Sequence, residues 1–109
     1  MELPKEIVDS DKLVVYLGKP PIINDDLSDY IELARKVRGS LIINPVKKDY
    51  LLGENDELFI EFNDPHSLET IINEKFRIIY VTAFKNGKET VFEYNNDCFV
   101  KEDSFSYSH

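Results

Sequence analysis

The dipeptide Asn86-Gly87, which separates two runs of strand-forming residues, is the feature that most restricts the fold. A tight primed turn needs positive φ at both central residues, and Asn followed by Gly adopts it readily. The flanking runs, 76–84 (FRIIYVTAF) and 89–94 (ETVFEY), are rich in β-branched and aromatic residues. We therefore predict two adjacent antiparallel strands. The first carries large residues on both faces, which predicts a position inside the sheet with cover on both sides, or at an interface.

Three further strands are predicted upstream. They are 12–17 (KLVVYL), 40–44 (SLIIN) and 57–62 (ELFIEF). In the last of these, strand alternation directs Leu58, Ile60 and Phe62 to one face and Glu57, Phe59 and Glu61 to the other. The segment 46–53 (VKKDYLLG) is compatible with either a hairpin arm or a loop.

Two segments have helical spacing. In the first, Asn24 or Asp25 is suited to cap the helix, Gly39 is expected to end it in the left-handed conformation, and the apolar stripe comprises Leu27, Tyr30, Ile31, Ala34 and Val37. The second begins at Asp64-Pro65, with Asp64 as the cap and Pro65 at the first helical position, and its stripe comprises Leu68, Ile71 and Ile72.

The predicted element order is β-α-β-β-α-β-β, which indicates an α+β fold. Its first six elements match the split β-α-β arrangement of ferredoxin-like antiparallel sheets with two helices. In that arrangement the fourth strand lies at an edge, and the C-terminal hairpin strand would cover it. The last residues, 95–109, are predicted either to add a sixth strand or to pack loosely.

The chain has 109 residues, the size of a single domain, 1–109. No apolar run approaches the length of a membrane span, and the N-terminus lacks the layout of a secretory signal. A cytoplasmic location is therefore expected. The single cysteine excludes a disulfide framework, and we expect no cofactor and no bound metal.

No specific catalytic pattern is present, so we expect a protein that is not an enzyme. The sequence has no glycine-rich phosphate loop and no nucleophile elbow. A nucleophilic pair of His66 and Cys98 is conceivable, but the plainer interpretation makes His66 a surface residue at a helix start and Cys98 a small buried hydrophobe.

The charge balance favours a basic protein partner. There are 21 acidic and 13 basic residues, giving a formal net charge of −8. Such a surface repels nucleic acid and anionic membranes, whose binding relies on Lys and Arg. Solubility alone is a competing explanation for acidic composition. The acids are nevertheless concentrated in two stretches, 54–64 and 89–103, with aromatic residues interleaved.

Aromatic anchors within an acidic rim suit the binding of a cationic protein. The competing interpretation places Phe59, Phe92 and Tyr94 in the core, with the acids facing solvent. The predicted partner-binding residues are Tyr50, Glu54, Asp56, Glu57, Glu61, Glu93, Asp97, Glu102, Asp103 and Tyr107.

The stretches ENDELFIEFND and EYNNDCFVKED give the chain a profile that resembles the bacterial immunity proteins of polymorphic toxin and contact-dependent growth inhibition systems. The resemblance is one of class: small, acidic domains without catalytic motifs. It implies an inhibitor that occludes the basic active site of a toxin, such as a nuclease, as a monomer or weak dimer. Two alternatives are a small-ligand regulatory or self-associating module of ferredoxin-like type, and an acidic mimic of nucleic acid.

Overall fold

The computed structural model describes residues 2–18, 28–44, 57–74 and 76–102. In these residues it is an α+β fold with a six-stranded antiparallel sheet and three helices. The helices are α1 (Lys5–Val8), α2 (Ser28–Lys36) and α3 (Ser67–Asn73). The strands are β1 (Lys12–Gly18), β2 (Ser40–Asn44), β3 (Glu57–Phe62), β4 (Tyr80–Lys85), β5 (Lys88–Asn95) and β6 (Cys98–Lys101). None of the helices formed by this part of the chain is long and apolar enough to cross a membrane.

The strand order is β2-β3-β1-β4-β5-β6, and every pair of neighbours is antiparallel. The sheet therefore differs from a four-stranded ferredoxin-like sheet. The fourth strand does not end the sheet, because β5 and β6 continue it. The sixth strand, one of the two options for residues 95–109, is present, and residues 103–109 lie outside the described part.

One face of the sheet carries the hydrophobic core. The alternation in β1 and β3 buries every second residue, and Leu13, Val15 and Ile60 are completely inaccessible to solvent. The buried residues of the three helices belong to the same cluster, which includes Leu33 of α2 and Leu68 of α3. The described helices therefore lie on this face. The prediction that Leu58, Ile60 and Phe62 share one face is confirmed, and that face is the buried one.

Gly39 does not adopt the left-handed conformation that was predicted to end α2. The left-handed residue is Arg38, with φ of 56°, and the amide of Gly39 donates to the carbonyl of Ala34 at 2.8 Å. The amide of Arg38 donates to Arg35, so the two bonds form a Schellman-type ending with Gly39 one position later than expected. Glycine is needed there for another reason: a Cβ atom would collide with the backbone carbonyl oxygen of Glu61.

Two tight turns build the C-terminal part of the sheet. Asn86 and Gly87 both have positive φ, 53° and 81°, so the predicted primed turn between β4 and β5 is confirmed. Asn96 and Asp97 also have positive φ, 51° and 65°, and connect β5 to β6. Asparagine and aspartate tolerate this conformation better than most residues, which explains the second turn without glycine.

The structure contains one helix that was not predicted and one strand that begins later than predicted. The short helix α1 places Ile7 in the core, completely buried, and Ser10 closes it by donating its hydroxyl to the carbonyl of Ile7 at 2.7 Å. Strand β4 begins at Tyr80 instead of residue 76. Residues before it still follow the sheet, because the amide of Ile79 donates to the carbonyl of Tyr16.

Candidate partner-binding surface

The face of the sheet opposite the helices forms a continuous surface, which we call the open face. Strand alternation and register assign to it the residues that do not point into the core. They are Lys12, Val14, Tyr16, Ser40, Ile42, Glu57, Phe59, Glu61, Tyr80, Thr82, Phe84, Glu89, Val91, Glu93 and Val100. Among these, Ile42, Tyr80 and Val100 are exposed by 39%, 37% and 55%.

A single row of paired residues crosses this face over all six strands. We call it the transverse row, and it runs in register through Ile42, Phe59, Tyr16, Tyr80, Glu93 and Val100. At a strand spacing of about 4.8 Å, the row is about 24 Å long. Its centre is an aromatic stack: the ring of Tyr16 lies 5.0 Å from Phe59 and 6.1 Å from Tyr80, between ring centroids.

A carboxylate fixes the central ring of this stack. The hydroxyl of Tyr16 donates a hydrogen bond of 3.0 Å to Oε2 of Glu57. Burial of the phenol raises the pKa of Tyr16 above its ordinary value, and the neighbouring Glu57 carboxylate raises it further, since a tyrosinate there would lose the hydrogen bond and face a negative charge. Tyr16 is therefore a neutral donor at physiological pH.

The open face already accommodates one cation from its own chain. Lys12 Nζ lies 3.6 Å from Oε2 of Glu61 and 4.8 Å from the ring centroid of Phe84. Both interactions are partly exposed, so each contributes modestly to stability. Their arrangement shows how this surface accepts an ammonium group, with a carboxylate on one side and an aromatic ring on the other.

Negative charge dominates the described part of the open face. Its carboxylates, Glu57, Glu61, Glu89 and Glu93, share it with the cation of Lys12, and Arg77 lines a cavity together with Glu93. Glu89 and Glu93 are exposed, and neither makes a side-chain hydrogen bond or ion pair with another described residue. The face therefore combines apolar area with carboxylates that remain available to donors from outside.

The structure brings together three of the predicted partner-binding residues. Glu57, Glu61 and Glu93 share the open face with Phe59, which is half-buried and lies outside the core cluster. The prediction that Glu57, Phe59 and Glu61 share a face is confirmed. The predicted residues Tyr50, Glu54, Asp56, Asp103 and Tyr107 lie outside the described part of the chain.

Of the other two predicted residues, one lies in a turn and the other directly follows the last described strand. Asp97 lies in the β5–β6 turn, where Oδ1 accepts a hydrogen bond of 3.0 Å from the hydroxyl of Tyr94. Tyr94 packs against the core cluster, so this contact directs Asp97 away from the open face. Glu102 follows β6 and is exposed, and its amide donates to the carbonyl of Val91, a residue of the open face, so Glu102 continues this face beyond β6.

Sequence reasoning missed Tyr16 and Tyr80, which complete the aromatic stack. Strand alternation could have identified Tyr16, because a residue between the buried Val15 and Leu17 must point to the opposite face. The interpretation of Phe92 and Tyr94 as core residues is confirmed, since Phe92 is buried and Tyr94 packs against the cluster. Cys98 is exposed at the start of β6, so its interpretation as a buried hydrophobe was wrong.

Within the described ranges, no group of three or more His, Cys, Asp or Glu side chains is arranged to hold a metal ion. His66 is exposed at the start of α3, and its amide donates to Oδ1 of Asp64 at 3.0 Å. The side chain of Asp64 therefore acts in the turn before α3, which begins at Ser67 with His66 as its N-cap, so the predicted helix start at Pro65 was two residues early.

Comparison of the chain with protein-family models, with curated proteins and with solved structures gave no match.

Proposed function

We propose that this protein is an inhibitor that binds a cationic protein through its open face. The transverse row carries the proposal: a stack of aromatic rings is continuous with exposed apolar residues and is flanked by carboxylates. Aromatic side chains supply desolvated contact area in protein interfaces, and surrounding carboxylates accept hydrogen bonds from Lys and Arg.

The net charge of −8 supports a cationic partner over an anionic one. Opposite electrostatic fields raise the rate of encounter, whereas nucleic acid and anionic lipid would be repelled. The paired Lys12 supports the same choice, because its ammonium group already lies between a ring and a carboxylate of this face.

We extend the proposal to the class of partner. The protein would be an immunity protein that occludes the basic active site of a toxin, for which a nuclease is the best candidate. In such a site, Lys, Arg and His recognise the phosphates of the substrate. Carboxylates of the open face would occupy those positions, with the aromatic stack sealing the contact from water.

The test uses a panel of purified basic nuclease domains from bacterial toxins. Each domain is assayed for binding to the immobilised full chain and for nuclease activity in its presence. We expect at least one domain to bind at moderate salt, to lose activity at a one-to-one ratio, and to bind more weakly as salt rises.

Two triple variants locate the site. The face variant carries Glu57→Lys, Glu61→Lys and Glu93→Lys. The control variant carries Glu2→Lys, Glu32→Lys and Glu69→Lys, all at exposed positions outside the open face, and changes the net charge equally. A triple Glu→Gln face variant replaces the first if its thermal unfolding shows misfolding. Equal inhibition by the face and control variants would contradict the proposed site.

A self-associating module is the second candidate, and one observation favours it. Strand β6 is an edge of the described sheet and exposes Val100 by 55%. Edge strands of this kind can pair with a second chain. Sedimentation distinguishes the two functions, because self-association through β6 requires a concentration-dependent dimer that Val100→Lys disrupts.

We also propose that β1 to β4, with α2 and α3, constitute a ferredoxin-like unit extended by β5 and β6. The central position of β1 between β3 and β4 supports this, together with α2 connecting β1 to β2 and α3 connecting β3 to β4. An experimental structure followed by comparison of the crossover connections tests the relationship.

A further inference from the structure

We propose that Tyr80 and Glu93 form a subsite on the open face that binds an arginine side chain of the cationic partner in preference to lysine. This inference rests on the proposed function and makes it more specific. Tyr80 and Glu93 are directly opposite each other on β4 and β5, and both are exposed. Side chains at such positions are close enough to bind one group together.

The free side of the Tyr80 ring lies next to Glu93. One side of its ring is stacked against Tyr16, with the ring planes inclined by only 11°. The opposite side of the ring is directed toward β5, where Glu93 is the paired residue. A planar group on that side would lie against the ring and beside the carboxylate at once.

Guanidinium fits this arrangement better than ammonium. It is planar and stacks on aromatic faces, and its parallel N–H groups match both oxygens of a carboxylate. An ammonium group is a compact, strongly hydrated charge that gains less from a flat surface. An exposed site of this kind therefore favours arginine by a moderate factor.

The other carboxylates of the open face are less suited. Glu57 accepts the hydroxyl of Tyr16, and Glu61 pairs with Lys12. Glu89 is opposite Phe84, but the ring of Phe84 already lies beneath the ammonium group of Lys12. Glu93 is thus the carboxylate that is both unpaired within the described residues and adjacent to a ring without a cation on it.

The experiment titrates the isotope-labelled full chain with two short amidated peptides, a Gly-Arg repeat and a Gly-Lys repeat of equal length and charge. Backbone amide shifts in the nuclear magnetic resonance spectrum report both the affinity and the place of binding. We expect the arginine peptide to bind roughly threefold more tightly and to shift the amides around Tyr80 and Glu93 most strongly.

Variants assign the preference to the two side chains. Tyr80→Leu and Glu93→Gln should each abolish the difference between the peptides. Glu89→Gln is the matched control, because it lies on the same strand and face with the same charge change, and it should retain the difference.

Equal affinity for the two peptides, no shift on the open face, or a preference that survives Tyr80→Leu would each overturn the arginine subsite. None of these outcomes decides the proposed function, which depends on inhibition in the toxin panel. Conversely, failure of the toxin panel together with arginine-selective shifts would leave the subsite in place and remove the inhibitor function.

Discussion

The hydroxyl of Tyr16 on β1 and the carboxylate of Glu57 on β3 are joined by a hydrogen bond of 3.0 Å on the open face. Burial and this carboxylate both raise the pKa of Tyr16 above 10.0. A raised tyrosine pKa contributes stability that is present below the ordinary pKa and is lost as pH rises through the folded-state value, because the unfolded chain then releases the proton first.

From this relationship we predict that Tyr16→Phe weakens the loss of stability above pH 10.0. Urea unfolding on either side of that pH measures the loss. The pKa of Tyr94 is also raised, by burial and by Asp97, so Tyr94 adds an equal alkaline loss of stability in the wild type and the variant. Glu57→Gln should lower the pKa of Tyr16 in a tyrosinate absorbance titration. Identical alkaline losses in the wild type and Tyr16→Phe would show that the pKa of Tyr16 is not raised in solution.

Glu93 and Asp97 should have different effects on partner binding, although both are acids of the same sequence stretch. Glu93 lies in the transverse row, whereas Asp97 accepts a hydrogen bond from Tyr94 in the β5–β6 turn. We expect Glu93→Gln to weaken binding of the inhibited toxin domain roughly fivefold, because an exposed charged contact contributes about 1 kcal/mol to the binding free energy. Asp97→Asn should leave the affinity unchanged. Calorimetric titration compares the two, and a larger effect at Asp97 would place the interface elsewhere.

Ile7 should contribute strongly to stability despite its position near the N-terminus. It is completely buried in the core, whereas its neighbour Val8 is 41% exposed. Ile7→Ala is expected to lower the free energy of unfolding by about 2–5 kcal/mol, because it removes buried methyl groups and leaves a cavity. Val8→Ala is the control and should change it by less than about 0.5 kcal/mol. Equal effects in urea unfolding would mean that α1 does not pack as described.

The end of α2 gives a pair of opposite predictions. Gly39→Ala should lower the free energy of unfolding by about 1–3 kcal/mol, because the added Cβ collides with the carbonyl oxygen of Glu61. Arg38→Gly should raise it by up to about 1 kcal/mol, since glycine adopts the observed φ of 56° without strain. Thermal unfolding measures both, and a stabilising Gly39→Ala would contradict the close approach of Gly39 to the backbone of β3.

Local signals predicted much of the fold. The Asn86-Gly87 turn, the alternation in 57–62 and the helix before Gly39 each depend on residues close in sequence, and the corresponding turn, strand and helix are present. The predicted apolar stripe of the helix was partly wrong, because Ile31 is 44% exposed and Leu33 is buried instead. Helix α1 was not predicted, because four residues show no periodicity and Ile7 is buried only through tertiary contacts.

The candidate site was only partly predictable for the same reason. The sequence pointed to Glu57, Glu61 and Glu93 through local charge, and the register of β3 and β5 places them on one face. Tyr16 and Tyr80 come from strands that are distant in sequence, and their stacking depends on the pairing of β1 with β4. Asp97 was included because it lies near Glu93 in sequence. Residues that are close in sequence need not share a face of the sheet, and Asp97 lies in the turn after β5.

The most direct test of the account compares inhibition of a basic toxin nuclease domain by the wild-type chain, by the face variant at Glu57, Glu61 and Glu93, and by the equally charged control variant at Glu2, Glu32 and Glu69. We predict stoichiometric inhibition by the wild type and the control variant, and loss of inhibition in the face variant. Inhibition of no domain in the panel, or equal inhibition by both variants, would contradict the proposal that the open face binds a cationic partner.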